Sequence, residues 1–253
     1  PVGQPDAAYS AVFCALRFAS FLHKKCSICI AGYLSVRQIK GCAMEGNVTK
    51  EQFLVISKSI KNAASFLSKK EYSIINIALI LLFREAEREI TRLLSSLHDL
   101  TLVSLSVRNL FEIYLISRHI SANEKALYNW HGQSHKDSKD VRDGFIGLME
   151  KKALDASELR EIQKFEEKNV AASPFTSKGP FILRDLADKY GYLDDYLFVY
   201  KLSSKLVHPS SMKVMAYETL SENANYLNIV LQVGVHFTYE LNSFAVKVVE
   251  ENA

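Results

Sequence analysis

The sequence predicts an all-α protein, a bundle of long antiparallel helices with a small polar lobe. Only 10 Gly and 5 Pro occur in 253 residues, which leaves few of the turns that an all-β fold needs. Hydrophobic residues make up 48% of the chain, so it can bury a core. Apolar residues recur at helical spacing in several stretches, without the fixed-period repeat of a solenoid.

We expect two parts, a basic N-terminal helical segment at 1–70 and the bundle at 71–253, with a polar insertion at about 121–180. A first amphipathic helix is predicted over 7–22. Thr49 is followed by Gln52 three residues later, a capping box that predicts a helix running to about residue 69.

Residues 71–119 contain neither Gly nor Pro, which predicts one very long helix or a helical hairpin. Asp99 is the expected break in that stretch. Further helices are expected at 156–170 and at 222–250, where a long final helix carries a strongly apolar face.

Positive charge is concentrated at the N-terminus. Residues 1–70 hold ten Lys or Arg against three acids, a balance of +7, and the rest of the chain holds −4. Such a segment can attract phosphate, anionic lipid or the protein's own acidic remainder. The overall charge of +3 is too mild to identify a nucleic-acid partner.

All four cysteines lie within the first 42 residues, with no recognisable secretory signal, so we expect reduced thiols and a cytoplasmic protein. His23, Cys26, Cys29 and Cys42 could hold zinc. Small buried cysteines are the simpler explanation, since free cysteine behaves as a core residue. We therefore predict no metal ion and no cofactor.

The longest apolar run, Ile74–Phe83, is about half of the roughly 20 residues that cross a bilayer. It predicts a buried helix and no membrane span.

Two pairs of polar residues at helical spacing are candidates for chemistry. Arg108 and Glu112 are four residues apart and share one helical face. They form either an ordinary solvated pair or a partly buried pair that faces a cleft, where the guanidinium could bind a phosphate. His131 and His135, close to several aspartates, could bind a metal, but Gly132 and the polar surroundings favour a solvated loop.

The segment YKLSSKLVHPS at 200–210 is the most informative stretch. Pro209 disfavours the α conformation of His208, which places this histidine at a helix end. Ser204 lies one turn earlier, and Lys201 and Lys205 add positive charge. An imidazole, a hydroxyl and nearby cations could perform acid–base attack on a phosphodiester. A histidine that only bonds the last helical carbonyls is the alternative.

These motifs resemble those of a broad group of uncharacterised bacterial helical proteins with an Arg-x-x-x-Glu helix and a Leu-Ser-x-x-x-His motif. More distantly, the chain is similar to the HEPN superfamily, helical bundles that include metal-independent RNases of toxin and phage-defence systems. Their usual signature is Arg, four to six residues, then His. Here Lys201, or Ser203 with Lys205, fills the place of that arginine. The likeness covers roughly 76–120 and 190–250.

Three hypotheses for the function follow. The resemblance implies an RNA-cleaving effector that acts as a dimer, in which His208 and Arg108 converge in one cleft. A non-catalytic helical module that binds a second copy or another helical protein is the second, and a small-molecule or nucleotide sensor is the third. Signatures of common NTPases, dehydrogenases, zincins and serine hydrolases are absent from the sequence. The candidate catalytic residues are His208, Arg108, Glu112, Ser204 and Lys205.

Overall fold

The computed structural model describes residues 46–71, 73–171, 173–175 and 179–253. In these residues the chain forms nine α-helices and no β-strand, which confirms the predicted all-α class. The helices are α1 (Gly46–Leu67), α2 (Ile74–Ser95), α3 (Leu100–Ala122), α4 (Glu124–Lys151), α5 (Ser157–Ala171), α6 (Leu183–Lys189), α7 (Leu193–Val207), α8 (Ser211–Glu222) and α9 (Ala224–Glu251).

Four long helices, α1, α2, α3 and α9, enclose the main core. Short connections join α1, α2 and α3, and each helix packs along the next, so successive helices run in opposite directions. Lys61 pairs with Glu87 between α1 and α2, and Asn109 bonds Glu89 between α3 and α2. The last helix, α9, fills the space between α3 and α1 and packs against both. The core is therefore closed by the part of the chain farthest from α1 in sequence.

The central helix is α3, which packs against α2, α9, α7, α4 and α6. Its side chains are buried on more than one face, including the fully buried Phe111, which contacts Phe237 of α9 at a ring-centroid distance of 4.4 Å. By length and composition α3 is the one helix in the described residues that could cross a bilayer, and 61% of its most apolar window is buried inside the bundle.

The short helix α7 lies antiparallel to α3. Tyr192 at the start of α7 bonds Tyr114, whereas Tyr200 in the second half of α7 bonds Arg108, six residues earlier on α3. At the other end of the pair, the hydroxyl of Tyr217 on α8 donates to Asp99, the N-cap of α3 (3.1 Å). This register determines which polar side chains of α3 and α7 meet.

Several boundaries confirm the sequence predictions. The stretch 71–119 forms two helices that separate before Asp99, whose carboxylate accepts hydrogen bonds from the backbone N–H groups of Thr101 and Leu102. The helices predicted at 156–170 and 222–250 are α5 and α9. One start is wrong, since α1 begins at Gly46 and Thr49 lies in its first turn.

The polar insertion is built mainly from α4 and α5. The prediction of a loop around His131 and His135 is wrong, because both lie inside α4. Gly132 is buried there, so packing outweighs the low helix propensity of glycine. Trp130 of α4 packs against the core. The expected helix at 7–22 and the His23, Cys26, Cys29 and Cys42 set lie outside the described residues.

Candidate functional site

Arg108 and Glu112 form a partly buried ion pair on α3. The Nε atom of Arg108 donates to Oε1 of Glu112 at 2.8 Å, as the spacing of four residues predicts. The two side chains keep 21% and 23% of their surface exposed. The pair is therefore partly buried and still reaches solvent; that it faces a cleft stays a prediction.

Tyr200 of α7 joins this pair from the facing helix. Nη2 of Arg108 donates to the Tyr200 hydroxyl, and the guanidinium lies 3.8 Å from the centre of the tyrosine ring. Burial and the negative charge of Glu112 raise the pKa of Tyr200, although Arg108 opposes this rise. The hydroxyl accordingly stays protonated at neutral pH and can donate a hydrogen bond to an anion.

A second carboxylate lies beside the next residue of α3. Glu89 of α2 is buried, with 2% of its surface exposed, and it accepts hydrogen bonds from Asn109 (2.8 Å) and from Arg92. Its other oxygen, Oε2, has no hydrogen-bond partner among the described residues. Two successive residues of α3 thus make polar contacts on different sides, Arg108 with α7 and Asn109 with α2.

The polar residues of α7 continue from Tyr200 towards the end of that helix. Tyr196, Tyr200, Ser204 and His208 follow at steps of four residues, so neighbours in this series lie one turn apart on adjoining faces. Lys205 is exposed and Ser204 is half-buried. We call the set Arg108, Glu112, Tyr200, Ser204, Lys205 and His208 the α3–α7 face.

His208 ends α7, as predicted. Its backbone is extended (φ −88°, ψ 154°), the conformation that a following proline favours. The hydroxyl of Ser210 donates to the carbonyl of Lys205 at 2.7 Å and accepts from the backbone N–H of Lys213. Ser210 therefore caps both helices, and the exposed imidazole of His208 is not needed for that purpose.

Arg108 contacts α7 well before the position of His208 along that helix. His208 follows Tyr200, the partner of Arg108, by eight residues, which is about 12 Å along a helix axis. The side chain of a helical tyrosine also leans towards the N-terminus, away from His208. The two groups are therefore not adjacent within one chain, and their convergence across two copies stays a prediction.

A further polar cluster escaped the sequence reasoning. Glu240 of α9 accepts hydrogen bonds from the hydroxyls of Tyr114 (3.0 Å) and Tyr192 (3.1 Å), and Arg118 donates to Tyr114. Burial is the main cause that raises the pKa of both tyrosines. No local spacing indicated this cluster, because its members come from distant parts of the chain.

The histidines of α4 do not complete a metal site. The described residues contain no group of three or more His, Cys, Asp or Glu side chains placed to hold a metal ion. The ring of His131 stacks on Phe175 at 4.9 Å, and burial lowers its pKa.

The comparisons with known proteins give a family without an assigned activity. A profile of the family of unknown function DUF5677 matches residues 84–225, more than half of the chain. This region includes every member of the α3–α7 face. Neither a curated protein nor a solved structure matches the chain.

Proposed function

This chain belongs to the DUF5677 family, and we propose that it binds RNA along the α3–α7 face and cleaves it at His208, as a HEPN-like RNase would. The observation that carries the proposal is the position of Arg108. Its side chain is partly exposed and is fixed by Glu112 and Tyr200. Ser204 and His208 follow Tyr200 along α7. In a cell, this activity would be that of a toxin or phage-defence effector.

Arg108 is suited to hold a phosphate. Its bonds to Glu112 and Tyr200 fix the guanidinium and leave further N–H donors for an anion. The protonated Tyr200 hydroxyl adds another donor. Because Tyr200, the partner of Arg108, precedes His208 by about 12 Å along α7, Arg108 would hold a phosphate farther along the strand than the one that reacts, and Glu112 would position the guanidinium.

His208 is suited to move a proton. Its imidazole would take the proton of a ribose 2′-hydroxyl, whose oxygen then attacks the neighbouring phosphorus. The bond from phosphorus to the 5′ oxygen breaks, and this oxygen takes a proton from solvent. The products are a 2′,3′-cyclic phosphate and a 5′-hydroxyl. Lys205, one turn before His208, would offset the charge on phosphorus, and Ser204 would bond a phosphate oxygen.

The test uses the full chain, a single-stranded RNA and the DNA of the same sequence, in buffer with EDTA. We expect cleavage of the RNA alone, with cyclic phosphate ends, because DNA lacks the attacking hydroxyl. His208→Ala should lower the rate by about 10²-fold to 10⁴-fold. His98→Ala, which alters an exposed histidine after α2, is the matched control and should cleave like the wild type.

Separate measurements examine Arg108. Arg108→Gln should weaken RNA binding by about tenfold or more, since a charge-assisted contact is lost. Equal rates for His208→Ala and wild type, or equal cleavage of DNA, would refute the nuclease. Unchanged RNA binding by Arg108→Gln would show that its pair with Glu112 only stabilises the fold.

A sensor is the second candidate, because the Arg108, Glu112 and Tyr200 cluster is complete within one chain without His208. It predicts saturable binding of a nucleotide that Arg108→Gln abolishes, with no cleavage by the wild type. Growth and total RNA after induction in a bacterial host separate the two candidates. Arrest with RNA fragmentation, seen with wild type and not with His208→Ala, supports the nuclease.

A further inference from the structure

The helices α4 and α5 form an antiparallel hairpin held together largely by polar contacts. Arg142 pairs with Glu166, and Asp143 accepts a hydrogen bond from Gln163 at 3.2 Å. Nearer the tip, Arg160 pairs with Glu150 at 2.7 Å. The helix α5 has no buried residue along its whole length. This hairpin therefore adds little to the core of the bundle.

One side of the hairpin is apolar and exposed. Val141 and Phe145 of α4 each precede a buried residue, Arg142 and Ile146. Ile162 and Phe165 of α5 precede Gln163 and Glu166, which contact α4. In a pair of antiparallel helices, the residues that stand one position before a contact residue point to the same side of the pair on both helices. The hairpin face comprises Val141 (70% exposed), Phe145 (59%), Leu148 (51%), Ile162 (43%) and Phe165 (66%).

We propose that the hairpin face binds the same face of a second copy of this chain through a two-fold axis that crosses the helices. Clustered large apolar side chains at this exposure mark interaction surfaces. A two-fold axis perpendicular to the helices places α4 against its counterpart in the antiparallel direction, and α5 likewise. The two bundles then lie at opposite ends of the paired hairpins. This proposal does not depend on RNA cleavage.

The charges that border the face fit this antiparallel pairing. On α4, Asp137 lies on the N-terminal side of the apolar residues and Lys151 on the C-terminal side. On α5 the same order recurs with Glu158 and Lys168. None of these exposed side chains takes part in an ion pair within the described residues. Antiparallel pairing brings Asp137 to Lys151 of the other copy and Glu158 to Lys168, so each of these two acids meets a base.

A glycine stands at the centre of this pairing. Asp137 and Lys151 are each seven residues from Gly144, so the two-fold axis would bring the two Gly144 backbones to the closest approach. A Cβ atom built on Gly144 meets nothing within 4 Å. No atom of the described chain uses this space, which suits the close approach of another helix. Gly147 is equally open, but three residues further on it points away from the face.

The oligomeric state of the full chain in solution tests the proposal, by sedimentation equilibrium over a range of concentrations. We expect a dimer for the wild type. Phe145→Asp and Phe165→Asp should raise its dissociation constant by about 100-fold or more, as loss of a buried anchor does. Gly144→Leu should also give a monomer, whereas the matched Gly147→Leu should remain a dimer. A Cβ atom at either position meets nothing within 4 Å, so we expect both variants to fold, and circular dichroism of each checks this.

Charge reversal tests the direction of pairing. Asp137→Lys should weaken the dimer because it opposes Lys151, and the double variant Asp137→Lys with Lys151→Asp should restore it. A wild-type monomer would overturn the proposal and indicate another occupant of the face, such as residues 1–45. A dimer that Phe145→Asp and Gly144→Leu leave intact would also overturn it, since the interface would then lie elsewhere.

Discussion

The helices α3 and α5 are built from the same backbone geometry but are stabilised by different means. About half of α3 is buried, against five neighbouring helices. No residue of α5 is fully buried, and α5 packs mainly against α4, to which ion pairs and a side-chain amide hydrogen bond connect it. Exposed ion pairs contribute little to stability, whereas core packing contributes most of it. Substitutions should therefore affect the bundle and the hairpin very differently, and the hairpin is free to carry a surface for binding.

The largest difference is expected from two phenylalanines. Phe111→Ala on α3 should lower the free energy of unfolding by about 3–5 kcal/mol, because it leaves a cavity against Phe237. Phe165→Ala on α5 should change it by less than about 0.5 kcal/mol. Urea unfolding at low protein concentration measures both. A similar loss for the two variants would mean that the hairpin belongs to the cooperative core.

Two glycines should give opposite signs. A Cβ atom on Gly234 of α9 would lie 2.8 Å from Cγ2 of Val107, so Gly234→Ala should destabilise the fold by about 1–3 kcal/mol. Gly147→Ala has open space and should stabilise α4 by up to about 1 kcal/mol, since alanine favours helix. Thermal unfolding of both variants checks the signs. A stabilising Gly234→Ala would show that α9 can shift away from α3.

A helix cap should give an intermediate effect. Asp99 caps α3 and also accepts from Tyr217 of α8, so Asp99→Ala should cost about 1 kcal/mol or somewhat more. Asp99→Asn keeps Oδ1, the atom that accepts these hydrogen bonds, and should cost much less. Asp155→Ala, at the turn into α5, should cost less than Asp99→Ala because only Ser157 uses its carboxylate. Equal losses at Asp99 and Asp155 would contradict the difference between the two regions.

The smallest effect is a dependence on pH. Burial, and then the charge of Lys189, lower the pKa of His119 near the end of α3. The unfolded chain then binds more protons below about pH 6.5, so stability should fall as the pH drops through and below that value. His119→Gln should reduce this dependence. The measurement is the melting temperature between pH 8 and pH 5, taken at steps of about one pH unit.

Much of the fold could be predicted because its signals are local. Asp99 shows the break between α2 and α3, since a short carboxylate there can bond the first free N–H groups. The helix through His131 could not be predicted, because the packing that buries Gly132 depends on distant residues. The direction of α9 was equally inaccessible, since no pattern within 222–250 states which helix it accompanies.

The candidate site divides in the same way. Spacing within one helix was enough to predict the pair of Arg108 and Glu112, and Pro209 was enough to place His208 at a helix end. Tyr200 lies 92 residues from Arg108, so only the register of α7 against α3 reveals that contact. The same register places His208 beyond the reach of Arg108 within one chain.

The position of α9 also determines when the protein can fold during its synthesis. Phe237, which covers Phe111, follows it by 126 residues (237 − 111), and ribosomes add about 5–20 residues per second. Until α9 has left the exit tunnel, the nascent helices α1, α2 and α3 present an uncovered apolar surface to solvent. This interval is one in which a chaperone would bind the emerging polypeptide.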